Sequence, residues 1–321
     1  MRSNVPGEPH GHLHQAAVHR SDDEFLSTVL PFVQQGIEAG QPLLACLPPR
    51  KAALLRDASP DAGGITFLDQ ADVYANPATA VKQCREQLGH LRAQGAAQVR
   101  FVGELVDPGR TTPWGPWARY EAAVNHLYEG LPLWSLCTYD ARTTPRPVLD
   151  DVVRTHPWLA LPGGRHAPSA AFAEPLTFLE THAFDPAEGD LPSHTPTLAL
   201  QGPYPEQARA AANRVSELAG LDRMRTGEFV LAVSESVTNA LHHGKAPMWL
   251  HLWSEPGRAV ATVTDAGGGP TDPFAGLTPA PRHPADGGMG LWIVHQVCDY
   301  VAMHRHDDGY SIVLVCGDRT T

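Results

Sequence analysis

The stretch Glu228 to Gly244 reads E-F-V-L-A-V-S-E-S-V-T-N-A-L-H-H-G. Within it Glu235 and Asn239 stand four residues apart, one helical turn, and so share a face. A carboxylate there can take a proton or polarise a hydroxyl or water. An Asn carbonyl is a hard oxygen donor of the kind Mg²⁺ accepts beside phosphates. An ordinary solvated polar stripe on an amphipathic helix has the same pattern. Two glycine motifs follow, Asp265-Ala-Gly-Gly-Gly269 and Asp286-Gly-Gly-Met-Gly-Leu291. Glycines behind Asp265 let a flat ligand approach the backbone closely. Gly288 and Gly290 precede a helix, whose free amide groups make an anion site.

The elements that must position these residues follow from periodicity. Val230, Val233, Val237 and Leu241 recur at helical spacing. Met248–Trp253 and Val260–Thr264 read as strands joined by a turn at Glu255-Pro-Gly257. Leu291–Val297 reads as a helix, and Tyr300–Arg305 with Tyr310–Cys316 as a hairpin across Asp308-Gly309. Upstream, Thr197–Gln201 is a strand. A helix then starts at Pro205, carries Ala208, Ala211, Val215 and Leu218, and stops at Gly220. The expected architecture is an antiparallel sheet with helices on one face, an α+β sandwich spanning 197–318.

The order E-x-x-x-N, D-x-G-x-G, G-x-G-L resembles the Bergerat ATP-binding fold of the GHKL superfamily. The text Thr238-Asn-Ala-Leu-His-His-Gly244 is similar to that of the anti-sigma factor serine/threonine kinases. That resemblance implies ATP and Mg²⁺ as ligands. It implies that Asp265, with Gly267 and Gly269, selects adenine, and that Gly288, Met289, Gly290 and Leu291 cradle the phosphates. Asn239 would hold Mg²⁺ and Glu235 would act as the base. His243 fits the family pattern either as a catalytic group or as packing under the lid. The lid, Thr271 to Ala285, is rich in Pro and carries little charge beyond Arg282 and His283. Arg282 or Lys245 would therefore have to grip the γ-phosphate, and the lid favours nucleotide binding over fast turnover. The implied partners are a STAS-domain antagonist and a sigma factor, with a homodimer left open. Two other readings stand beside this one: a nucleotide-dependent binding switch without kinase activity, and a sensor histidine kinase. The latter needs a helical hairpin bearing a phosphoacceptor His, and 161–196 is short and Pro-rich.

The first half alternates strands and helices. Strands are expected at Leu13–His19, Leu43–Leu47, Ile65–Leu68, Val99–Val102 and Leu133–Tyr139. A capping box at Ser21-Asp-Asp-Glu24 opens the first helix, which stops at Gly40. Such alternation argues for a parallel sheet covered on both faces. The strand ends carry Pro48-Pro49-Arg50, Gly103-Glu104 and Tyr139-Asp140, none of them a phosphate-cradling G-x-x-x-x-G-K-[ST] loop. His10, His12, His14 and His19 have no carboxylate or Cys at ligand spacing and read as polar strand ends. The pattern His12-x-His14, Asp23-Glu-Phe-Leu26, Pro31 to Pro42, Gly103-Glu104 and Thr155-His-Pro157 resembles the MEDS sensory domain over residues 12–160. The resemblance implies a RecA-like scaffold with a sensory role and a small ligand. Glu104, Trp117, Tyr120, Glu121 and Asp140 are its pocket candidates. Residues 161–196 read as a linker.

The chain has 321 residues, room for two domains of ~150. A net charge of −11 without a basic run argues against direct nucleic-acid binding. Five scattered Cys without a C-x-x-C pair fit free thiols in a reducing cytoplasm. No apolar run reaches membrane-spanning length, and Met1 to Gly11 lacks the apolar core of a secretory signal.

Overall fold

The computed structural model describes residues 11–59, 62–110, 113–182, 191–279 and 289–317. The chain divides into two compact units, one of Met1–Ala75 and Ala80–Ala183, the other of Asn76–Thr79 and Phe184–Thr321.

The first unit is built on seven strands: β1 (Leu13–His19), β2 (Leu43–Cys46), β3 (Ile65–Phe67), β4 (Val99–Gly103), β5 (Leu133–Asp140), β6 (Trp158–Leu161) and β7 (Arg165–Pro168). Their order is β3-β2-β4-β5-β1-β6-β7. Every pair is parallel except β6 with β7. Alternation along β2 shows that both faces are covered. Leu43 packs with Phe25, Val29 and Phe32 of α1 (Asp22–Glu38). Leu44, the next residue, packs with Val81 and Leu88 of α4 (Pro77–Ala93) and Val124 of α5 (Trp114–Leu127). All four residues of β2 are buried, as a continuous apolar run between two helical layers requires. Ser21 caps α1 by accepting from Glu24 N, and Glu24 Oε2 reaches back to Arg20 N.

Several elements depart from expectation, among them the single-turn helix α3 (Gln70–Val73) and strand β6, which the periodicity did not mark. A helix, α2 (Pro49–Ala58), follows β2, with Pro49 in its first turn. Within 161–196, expected as linker, lie β7 and α7 (Pro175–Thr181), the latter anchored by the wholly buried Phe178. Strand β7 is a short edge whose Arg165-His-Ala-Pro168 shows no period, and Pro168 is tolerated because an edge strand lacks a second partner. His14 and His19 are buried, not polar strand ends, because the interior strand β1 is flanked by β5 and β6.

At the carboxyl ends of the strands, Lys51 of α2 turns inward and binds Glu104 Oε1 at 2.9 Å and Oε2 at 3.0 Å, with Asp140 Oδ2 at 3.5 Å. Thr138 Oγ1 donates to Glu104 Oε2 at 2.6 Å. His19 Nδ1 donates to Tyr139 O at 2.7 Å, so its Nε2 faces Lys51. Burial raises the Glu104 carboxyl above its ordinary value despite Lys51. Burial, then the charge of Lys51, lowers the His19 imidazole to about 4.

In the second unit five antiparallel strands, β8 (Leu198–Gln201), β9 (Met248–Glu255), β10 (Arg258–Asp265), β11 (Tyr300–His306) and β12 (Gly309–Gly317), lie in the order β11-β12-β10-β9-β8. Helices α8 (Pro205–Ala219), α9 (Arg223–His243) and α10 (Gly290–Val297) bury Val215, Phe229, Val233, Val237 and Val294 against Leu250, Leu252, Ala261 and Leu314. Gly220, at φ 74°, ends α8 in the left-handed region that only glycine occupies freely. Asp222 caps α9 by accepting from Arg225 N at 2.8 Å. No described helix is long and apolar enough to cross a membrane.

The buried His19 sets a pH dependence. The unfolded chain takes a proton at this site near 6.5, and the folded protein only near 4. Stability present above pH 6.5 is therefore lost as the pH falls toward 4. Denaturant titrations at pH 7 and 4.5 are expected to show a loss of about 2 kcal/mol from this group, and His19→Gln is expected to flatten that slope.

Candidate functional site

The site of the second unit is a cavity of about 680 Å³ over the apolar residues Val263, Leu291 and Ile312. One wall is the face of α9 that carries Glu235, Asn239 and His243. The opposite face of the helix is committed to the core through Phe229, Ala232, Val233 and Val237, so the polar pair must face out. Gly290 opens α10 directly above that pair. A Cβ placed on Gly290 would lie 2.8 Å from Glu235 Oε2 and 3.2 Å from Asn239 Nδ2. The absence of a side chain thus brings the amino end of α10 against the two polar groups. Asn239 Nδ2 is buried and has no hydrogen-bond partner among the described residues.

The N-cap of α10 is Met289, which offers no side-chain cap. Its carbonyl accepts from Ile293 N at 2.9 Å, and the amides before Ile293 have no partner within the helix. Free amides at the positive end of a helix favour an anion. Met289 is 41 % exposed, while Leu291 lines the cavity and packs on the core.

The far wall is the end of β10. Asp265 is buried, and its Oδ1 accepts from Lys245 N at 3.0 Å and Gly267 N at 2.6 Å. Neither bond uses Oδ2. Gly244 and Gly267 make this possible: a Cβ on either would come within 2.6 Å of the carboxylate. Gly269, at φ 70°, lies so close to the ring of Tyr310 that a Cβ would collide with it at 2.3 Å. Arg305 Nε and Nη2 donate to Gly268 O at 2.8 Å and Pro270 O at 3.2 Å and hold the glycine turn.

The structure therefore gathers Glu235, Asn239, His243, Asp265, Gly269, Gly290 and Leu291 around one cavity. Gly267 stands behind Asp265, and Met289 is exposed next to Gly290. Arg282 and Gly288 lie outside the described residues. The Lys245 side chain is exposed, and its backbone supports Asp265. The sequence reading missed Gly244 as a clearance residue and Tyr310 as a wall. The closing Gly of the helix motif was a usable signal for the first; an aromatic residue beside the hairpin turn was too common a feature for the second.

With this geometry in view, residues 13–157 match the model of the methanogen/methylotroph, DcmR sensory domain (MEDS), and residues 202–316 match that of the histidine kinase-like ATPase domain. No curated protein matches. Among solved structures, the RsbU and RsbW domains of Rv1364c from Mycobacterium tuberculosis align at 20% identity and a TM-score of 0.27, over 37% of this chain and 32% of that one. This chain thus spans about a third of that protein's length. The histidine kinase domain of the E. coli osmosensor EnvZ aligns at 19% identity and a TM-score of 0.24, over 41% of this chain and 94% of that one. The chain joins a MEDS domain at its amino-terminal side to a histidine kinase-like ATPase domain of GHKL type.

Proposed function

We propose that the second unit binds ATP with Mg²⁺ and transfers the γ-phosphoryl group to a serine or threonine of a partner protein, in the manner of an anti-sigma factor kinase. The observation that carries this reading is the placement of Gly290 over Glu235 and Asn239. Backbone amides of α10, an amide oxygen and a carboxylate then converge on one volume, across the cavity from Asp265. Phosphoryl transfer asks a protein mainly for positioning and charge neutralisation. Asn239 would hold Mg²⁺, the amino end of α10 would hold phosphate oxygens, and Glu235 would orient or deprotonate the acceptor hydroxyl. Asp265, fixed through Oδ1, keeps Oδ2 to accept from an exocyclic amino group such as that of adenine.

The partner in this reading is a STAS-domain antagonist, a sigma factor, or both in turn, and the MEDS domain gates the activity. The first unit fits a RecA-like scaffold in that β1 lies inside the parallel sheet between β5 and β6. A sensor histidine kinase needs two long helices before its ATPase domain. Among the described residues between β7 and β8 the helix present is the seven-residue α7.

The test uses the purified full chain, labelled ATP and a panel of STAS-domain proteins. Phosphoserine or phosphothreonine on the partner supports the proposal. Phosphohistidine on the chain itself, or tight binding without transfer, replaces it with the histidine kinase or the binding switch. Two variants are expected to differ in kind. Glu235→Ala keeps ATP binding and loses ~10²–10⁴-fold in transfer rate. Asn239→Ala weakens nucleotide affinity in the presence of Mg²⁺ far more than in its absence. Asp265→Asn is expected to cost ~1–3 kcal/mol in ADP binding by calorimetry; unchanged affinity would remove Asp265 from the base site.

A further inference from the structure

The first unit holds a cavity of about 150 Å³ that the ATPase reading does not use. His14 of β1, Glu121 of α5 and Cys137 of β5 line it, and His156, which follows α6 (Arg146–Thr155), adjoins these three from behind. One donor atom from each lies within 4.8 Å of all the others. His14 Nε2 is 3.2 Å from Glu121 Oε2 and 3.5 Å from Cys137 Sγ, and His156 Nε2 is 3.5 Å from Glu121 Oε2. A tetrahedral ion with bonds of ~2.0–2.3 Å keeps its ligands roughly 3.3–3.8 Å apart. The His14–Cys137 and His156–Glu121 separations fall in this range, His14–Glu121 is just short of it, and the remaining pairs lie within 4.8 Å.

The surrounding groups turn the lone pairs inward. Asn125 Nδ2 donates to Thr155 O at 2.8 Å and Glu121 O at 3.0 Å, which directs Asn125 Oδ1 toward His14 Nδ1 at 3.1 Å. An acceptor opposite Nδ1 places the His14 proton there and leaves Nε2 as a donor to the cluster. His156 Nδ1 donates to Val152 O at 2.9 Å, and its Nε2, wholly buried, has no hydrogen-bond partner. Tyr139 Oη donates to Glu121 Oε1 at 2.8 Å, which leaves Oε2, also without a hydrogen bond, for the centre. The Cys137 thiol donates weakly to His14 Nε2, while His156 Nε2 and Glu121 Oε2 face each other at 3.5 Å as two buried acceptors. Buried acceptors repel unless a positive centre lies between them.

We propose that His14, Glu121, Cys137 and His156 bind a divalent transition-metal ion of the zinc class at the floor of the first unit's cavity. Two imidazoles, one carboxylate and one thiolate form a mixed donor set suited to Zn²⁺, and thiolate and carboxylate together balance its charge. Binding releases the Cys137 thiol proton to solvent.

The experiment uses the full-length protein, stripped with chelator, titrated with Co²⁺ and separately with Zn²⁺ against a chromophoric chelator. One equivalent of tightly held metal is expected, with a Co²⁺ spectrum of tetrahedral form that includes thiolate charge transfer. Cys137→Ser is expected to abolish the charge-transfer band, and His156→Ala to weaken Zn²⁺ at least 100-fold. Cys84→Ser, which alters a thiol lining the same cavity but outside the cluster, is expected to change neither. Asn125→Leu is expected to weaken Zn²⁺ ~10–100-fold while the thiolate band persists. Circular dichroism checks that each variant is folded; should His156→Ala unfold, Cys137→Ser and Asn125→Leu carry the test. Absence of stoichiometric metal, or a Co²⁺ spectrum unchanged by Cys137→Ser, overturns the proposal. Asn239→Ala, in the other unit, is expected to leave this titration as in wild type.

Discussion

Asp265 Oδ1 accepts two backbone N–H bonds, from the residue that follows the α9 cap and from the turn after β10. Those two bonds fix where the longest helix of the second unit ends relative to the middle of its sheet. The rest of the cavity depends on that tie. Gly244 and Gly267 must lack side chains for the carboxylate to fit, and Gly309 must approach the backbone of Asp265 from the hairpin side. A carboxylate is the group for this task because it can satisfy two amides with one oxygen and keep the other free. The position of Glu235 and Asn239 follows, since both ride on the helix so anchored. The same logic recurs at Gly290, where a missing side chain again sets the distance between two elements.

The second unit was legible because its signals are local. Helical spacing from Val230 to Leu241 marked α9, and Asp-Gly at 308–309 marked the hairpin. The shared face of Glu235 and Asn239 followed from their four-residue spacing, and both line the cavity. The helix begins at Arg223, ahead of Glu228, because Asp222 caps it and Arg223 to Gly227 add a first turn without adding apolar period. Gly244 and Tyr310 were not legible as site residues. Their contribution is clearance and contour, which depend on what lies opposite in space and leave no mark on spacing.

In the first unit the parallel strands and their two helical layers were legible from alternation, yet the joins between them were not. Lys51 reads as a surface residue in Pro-Arg-Lys, and it is buried because Glu104 and Asp140 meet it at the strand ends. The His14 cluster was missed for a related reason. His14 and Cys137 lie 123 residues apart, so no window of ligand spacing contains both. They adjoin because β1 pairs with β5, in a register that sets His14 against Ser135 and Ala16 against Cys137. Local patterns announce sites built on one helix; sites assembled across a sheet become readable only once strand order is known.

That strand order has a consequence for how the chain is made. Strand β1 leaves the ribosome first among the strands, but its neighbours are β5 and β6, and Leu13 meets Ser135 only after 122 further residues. At ~5–20 residues per second, the interior strand of the sheet waits roughly 6–30 s for its partners. During that wait β2, apolar at every position, can associate with β3 and β4 as they emerge, whereas β1 has no strand beside it. With such an order the parallel sheet cannot close around its interior strand until Leu161 has emerged, which makes its folding intrinsically slow.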